Sequence, residues 1–83
     1  MEKPEEERMT KQEVISEVKR ITGISYAKLA SRSRERGIVK GRAMYCYLRK
    51  EHGGASGTEL MKELGLSSGT ISYLVHQGRE VRQ

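Results

Sequence analysis

The sequence predicts an all-α domain of about five short helices. Apolar residues recur at intervals of three and four, the spacing that brings side chains to one face of a helix. Two Ser/Thr-x-x-Glu capping boxes, Thr10–Glu13 and Ser56–Glu59, mark helix starts. No run of residues shows the period of two that is typical of a strand. A chain of 83 residues forms one domain at most.

The first three predicted helices each have their own start and stop signals. The first begins after Thr10 and stops at Gly23, with an apolar stripe of Val14, Ile15, Val18 and Ile21. Ser25 caps a short second helix, whose inward residues are Tyr26, Leu29 and Ala30. A third helix is predicted from Val39 to His52, with a stripe of Val39, Ala43, Met44, Tyr47 and Leu48.

The last two predicted helices form a helix-turn-helix, which needs apolar residues where its helices cross and a glycine at the turn. Ser56 opens the fourth helix, which runs through Leu64, and Gly65 breaks it. Ser67 or Ser68 caps the fifth helix, and Gly78 is predicted to close it. The apolar positions of the motif are Leu60, Leu64, Leu66, Ile71 and Leu74. Met61 stands where a small residue usually allows close helix approach. The same pattern also fits an ordinary helical hairpin in a protein-interaction module.

The positive charge is confined to the middle of the chain. Residues 24–52 carry eight basic and two acidic side chains, a net charge of +6, while residues 1–23 carry −1 and residues 53–83 balance. Such a block is expected of a surface that binds phosphates. It is equally compatible with a solvated face, so charge alone decides nothing.

Cys46 is the single cysteine, which excludes a disulfide framework and a thiolate zinc site. Met44, Tyr47 and Leu48 surround it, so we expect a core residue rather than a reactive thiol. His52 and His76 are 24 positions apart and make a poor metal site. We predict no metal, no cofactor, no catalytic residue and no small-molecule ligand, because no acid–base pair or activated nucleophile can be assembled.

Two blocks of the sequence resemble a known family. SRSRERGIVKGRAMYCYLRKE (31–51) is similar to the basic loop and helix of the C-terminal DNA-binding domain of the bacterial replication initiator DnaA, which has a Trp repressor-like fold. SGTELMKELGLSSGTISYLVHQG (56–78) is similar to its helix-turn-helix. Residues 13–81 resemble still more closely the DnaA-like domain appended to REP-associated tyrosine transposases.

The resemblance implies residue roles. Arg34 stands where the initiator inserts an arginine into the minor groove, with Arg36 beside it, and Lys40 and Arg42 fall at basic positions near the DNA backbone. An Asp-His-Thr-Thr run that reads bases in the initiator is Ser67-Ser68-Gly69-Thr70 here, so the initiator's origin specificity is not carried over. The residues predicted to bind DNA are Arg32, Arg34, Arg36, Lys40, Arg42, Ser67, Ser68, Gly69, Thr70, Ser72, Tyr73 and His76.

The predicted function is selective binding of double-stranded DNA through the recognition helix, residues 68–78, and the basic loop, residues 31–42. Residues 10–80 would form this domain, between a flexible acidic tail (1–9) and a flexible end (81–83). The chain lacks a phosphate-binding P-loop and a His-hydrophobe-His pair, so it would be the targeting module of a transposase-like protein, without its chemistry. A free-standing regulator or an initiator-like protein is the alternative.

A protein-interaction domain is the alternative from another class. Binding of RNA or single strands is disfavoured because phenylalanine and tryptophan, the usual stacking residues, are absent. We expect a monomer or weak dimer, no membrane partner, and the bacterial cytoplasm, at the nucleoid, as the location.

Overall fold

Five helices make up the parts of the chain that the computed structural model describes, residues 9–31 and 35–82. They are α1 (Lys11–Thr22), α2 (Tyr26–Leu29), α3 (Arg36–Glu51), α4 (Gly57–Leu64) and α5 (Ser68–Arg82). These residues contain no strand, so the all-α prediction is confirmed. None of these helices combines the length and the apolar character needed to cross a lipid bilayer.

Local capping signals place α1 and α4 where the sequence predicts them. Thr10 Oγ1 accepts from Glu13 N at 3.1 Å, and the Glu13 carboxylate accepts from Thr10 N at 3.1 Å, which completes the capping box. At α4, Ser56 Oγ accepts from Glu59 N at 3.1 Å. Gly23 and Gly65 end the two helices with φ of 75° and 67°, a left-handed conformation that favours glycine. Ile21, the last residue of the predicted apolar stripe of α1, is 43% exposed.

The long third helix is the centre of the domain. Residues 41–46 are all buried, because α1, α2 and α5 pack around α3 on different sides. A single apolar stripe was therefore too narrow a prediction, and Tyr45 and Cys46, outside or beside that stripe, are fully buried. Burial raises the pKa of the Cys46 thiol to about 12, with Arg42 opposing and Glu63 adding to the rise. Cys46 is a core residue, as predicted, and its thiol is poorly reactive.

Two predicted helix boundaries are wrong, and packing explains both. α3 begins at Arg36 rather than Val39, with Val39 N donating to Glu35 O at 2.9 Å. Ile38 is buried and Gly41 lies against the connection between α1 and α2, so tertiary contacts hold these first turns.

The fifth helix does not end at Gly78 but continues to Arg82. At Gly78 the backbone of α5 approaches that of α3 so closely that an added Cβ would lie 2.2 Å from Ala43 O. The glycine therefore serves helix–helix packing, and not helix termination. This close contact fixes the position of α5, the helix that carries most of the candidate site.

A cluster of five polar side chains connects the other four helices, and we call it the Glu63 cluster: Lys11, Tyr26, Tyr45, Arg49 and Glu63. The Glu63 carboxylate accepts hydrogen bonds from Tyr45 and, at 2.8 Å, from Tyr26. Arg49 Nη2 lies 3.3 Å and Lys11 Nζ 3.5 Å from its oxygens. The Glu63 side chain is only 12% exposed, so these partners take the place of hydrogen bonds to water that the carboxylate loses on burial.

The pKa values in the Glu63 cluster follow from these contacts. Burial raises the pKa of Glu63, but the hydrogen bonds from Tyr45 and Tyr26 and the charges of Lys11 and Arg49 outweigh it, so the net pKa is lowered. Burial, and then the Glu63 carboxylate, raise the pKa of both Tyr45 and Tyr26. At neutral pH the cluster therefore holds an ionised carboxylate and two neutral phenols.

Candidate functional site

One side of α5 packs on the core and the other faces outward. Ile71, Leu74 and Gly78 are buried, and the turn between α4 and α5 is closed by Leu66, which is partly buried. The predicted outward residues are all exposed: Ser67, Ser68, Gly69, Thr70, Ser72, Tyr73 and His76. The structure therefore leaves all seven predicted residues accessible, Ser67 just before α5 and the other six on the helix.

Two hydroxyl groups organise the beginning of α5. Ser67 is the residue before the helix, and its Oγ accepts from Thr70 N at 3.3 Å. The two hydroxyl oxygens of Ser67 and Thr70 lie 2.9 Å apart, so these side chains also bond to each other. Gly69 beside them has no heavy atom within 4 Å of a Cβ built on it. A phosphate or a base edge could thus approach the helix backbone here, at the positive end of its dipole.

Two exposed cations of α3 lie next to α5. Arg36 and Lys40 are four residues apart on α3 and both are exposed. With Tyr73 and Gln77 of α5 they border a groove of about 210 Å³, which we call the basic groove. Its full lining is Arg36, Val39, Lys40, Ala43, Tyr73, Leu74 and Gln77. The predicted basic loop, residues 31–42, which we now call the basic segment, therefore meets α5 along one surface through Arg36 and Lys40.

A second groove lies on the other side of Tyr73. It has a volume of about 390 Å³ and we call it the turn groove, since Gly65 and Leu66 of the α4–α5 turn border it. Both grooves share Val39, Tyr73 and Leu74. Tyr73, which is 60% exposed, borders both grooves. Tyr73 is thus the most prominent apolar feature of this surface.

Arg42, which the resemblance places near the DNA backbone, is buried in the structure. The residue is 8% exposed, its Nε donates to Leu29 O at 2.8 Å, and its Nη2 donates to Ser31 O at 2.6 Å. The guanidinium group thus binds two backbone carbonyls at and just after the end of α2. Carbonyls at the end of a helix lack partners within the helix, so they need donors of this kind. Arg42 therefore holds the start of the basic segment in place beside the turn groove, which Ser31 also lines.

Two further expectations concern the basic segment. Arg32 and Arg34 lie outside the described residues, so the role of Arg34 in a minor groove stays a prediction. Residues 36–42 belong to the first two turns of α3, and so the segment 31–42 is only partly a loop. Its helical part fixes the spacing of Arg36 and Lys40.

His76 has an acidic neighbour. Its Nε2 lies 3.3 Å from Glu80 Oε1, one turn further along α5, and both side chains are more than half exposed. A carboxylate at this position repels phosphates. The surface suited to an anion therefore lies towards the N-terminal end of α5, around residues 67–73.

Two lining residues were missed at the sequence level. Val39 was assigned to the core stripe of α3, yet it is partly exposed and borders both grooves. Gln77 is partly exposed and borders the basic groove. The signal for Gln77 was its spacing, since it follows Tyr73 by one helical turn.

No group of three or more His, Cys, Asp or Glu side chains within the described ranges could hold a metal ion.

Comparisons of this chain with protein-family models, with curated proteins and with solved structures gave no match. The resemblance to the DnaA domain and to the transposase-associated domains therefore stays a prediction from the two sequence blocks.

Proposed function

We propose that this chain is a double-stranded DNA-binding domain in which α5 enters the major groove and the first turns of α3 contact phosphates. The observation that supports this most is the basic groove, where Arg36 and Lys40 of α3 face the same space as Tyr73 and Gln77 of α5. A helix that has a small, polar, exposed N-terminal end, and two exposed cations beside its later turns, suits the binding of a duplex.

Contacts to phosphate and contacts to bases would come from different helices. Arg36 and Lys40 neutralise phosphates and supply affinity that does not depend on sequence. Ser68, Ser72 and Tyr73 face the base edges and select among sequences modestly, because hydroxyl groups accept several pairing patterns. Such a module fits a transposase-like protein that must find its DNA, and equally a free-standing regulator.

The cations of the basic groove give a direct test. We expect Arg36→Ala and Lys40→Ala each to weaken binding of a mixed-sequence duplex of about 20 base pairs by several-fold in a fluorescence-anisotropy titration. Each loss should also make the slope of log affinity against log salt shallower by about 0.9, because one fewer counterion is released.

Lys19→Ala is the matched control, since Lys19 is an exposed cation of α1 and borders neither groove. It should change affinity and slope little. Equal effects of all three substitutions would mean that the chain attracts DNA by net charge alone. If the chain did not bind the duplex at low salt, the proposal would be contradicted, and a protein-interaction domain would be the better hypothesis.

A further inference from the structure

Tyr73 is the feature of the proposed interface that phosphate binding does not explain. Tyr73 is 60% exposed on the outward face of α5, while Ile71 and Leu74 on the opposite face are buried. Val39, which is partly exposed, lies beside Tyr73 in both grooves, and the buried Leu74 lies beneath, so the ring and Val39 form an apolar spot on an otherwise polar and basic surface. Exposed aromatic residues with apolar neighbours commonly mark binding positions.

The charge around this spot favours a nucleic acid as its occupant. Arg36 and Lys40 border the basic groove, and the described side chains that line either groove include no carboxylate. Two cations at the rim favour a polyanion over an apolar peptide, and the proposed DNA-binding function makes that polyanion a duplex. The apolar spot therefore lies where a duplex held by these cations would present the edges of its base pairs.

The chemistry of α5 narrows what can be read there. Residues 67–77 contain no arginine or lysine, so the strong bidentate contact to guanine is missing from this stretch. Ser67 and Thr70 already bond to each other. In the major groove, the 5-methyl group of thymine is the apolar element among the base edges, and apolar side chains recognise it. Gln77, one turn after Tyr73, carries the amide that pairs with adenine.

We infer that Tyr73, supported by Val39 and Leu74, reads the 5-methyl group of a pyrimidine in the major groove, so that the domain prefers thymine or 5-methylcytosine at that position. This inference rests on the proposed DNA-binding function and adds to it the class of base that α5 selects. The ring removes the methyl group from water, and the tyrosine hydroxyl plays no part.

Removal of the methyl group from the DNA tests the inference without knowledge of the natural site. The probes are four duplexes of about 20 base pairs with alternating A·T, A·U, G·C or G·5-methylcytosine pairs. Burial of one methyl group corresponds to about a threefold to fourfold gain in affinity. We therefore expect A·T to bind about three to four times more tightly than A·U, and the methylated G·C duplex to exceed the unmethylated one by a similar factor.

Variants of the protein identify the residue that carries the preference. Tyr73→Ala should reduce both ratios to about one, while Tyr73→Phe should keep them, because only the ring is needed. Lys19→Ala, at an exposed position of α1 that borders neither groove, should also keep them. Arg36→Ala should weaken all four duplexes by the same factor and leave the ratios unchanged.

The outcomes separate this inference from the function on which it rests. Salt-dependent binding with equal affinity for A·T and A·U overturns the methyl reading and leaves DNA binding in place. A methyl preference that persists in Tyr73→Ala assigns the reading to another residue and also overturns it. No binding to any of the four duplexes at low salt overturns both.

Discussion

Replacement of Gly78 by alanine is expected to lower the free energy of unfolding by about 2 kcal/mol. The added Cβ would lie 2.2 Å from Ala43 O and 2.7 Å from Tyr47 Cβ, so α5 must move away from α3. Overpacking of this kind typically costs about 1–3 kcal/mol, and here a backbone atom, which cannot rotate aside, is the obstacle. The higher helix propensity of alanine offsets only about 1 kcal/mol of this cost. Urea denaturation followed by circular dichroism measures the change.

Gly69 provides the control within the same helix. A Cβ at Gly69 meets nothing within 4 Å, so Gly69→Ala should raise the free energy of unfolding by about 0.5–1 kcal/mol through helix propensity. Opposite signs at the two glycines are the expected result. If Gly78→Ala also stabilised the domain, the close packing of α5 on α3 would be wrong.

Loss of the Glu63 carboxylate is the second large effect that we expect. Glu63→Ala should lower the free energy of unfolding by about 3 kcal/mol, because it leaves Arg49 and two partly buried hydroxyl groups without the carboxylate that they bind. Glu59→Ala, on the same helix, should cost less than about 1 kcal/mol. Its side chain is 63% exposed and lies 3.9 Å from Arg49 Nη2.

The same carboxylate should make stability depend on pH. The pKa of Glu63 is lower in the folded chain than its ordinary value of 4.5. The ionised carboxylate therefore contributes its full stabilisation at pH values above 4.5. This contribution is lost as the pH falls through the lower pKa that Glu63 has in the folded chain. Denaturation between neutral pH and about pH 3 should show this loss in the native chain and much less of it in Glu63→Gln. Identical pH profiles would show that another group is responsible.

Local signals made the starts of α1 and α4 and the α4–α5 turn predictable. Thr10, Ser56 and Gly65 act within a few residues of their own position, so their effects can be read from sequence. The crossing residues Leu60, Ile71 and Leu74 were predictable too, because helical spacing alone sets which face they share, and all three are buried.

Contacts between distant residues account for what the sequence did not reveal. Gly78 is a stop signal by its local chemistry, and only the approach of Ala43 makes it a packing residue. Arg42 looks like a surface cation until the carbonyls of Leu29 and Ser31 are placed around it. Glu63 gains its partners from three other helices, at separations of up to 52 positions along the chain in the case of Lys11. For the candidate site, the seven α5 residues were found from helical spacing, whereas the grooves needed the packing of α5 on α3.

An NMR titration with duplex DNA tests the central proposal, that the face shared by α3 and α5 binds double-stranded DNA. A mixed-sequence duplex of about 20 base pairs is added at low salt to the ¹⁵N-labelled chain, and amide shifts are followed. We expect shifts concentrated at residues 36–40 and 67–77, reversed by added salt, with little change at the exposed positions of α1. Absence of shifts, or shifts centred on α1, would contradict the proposed interface.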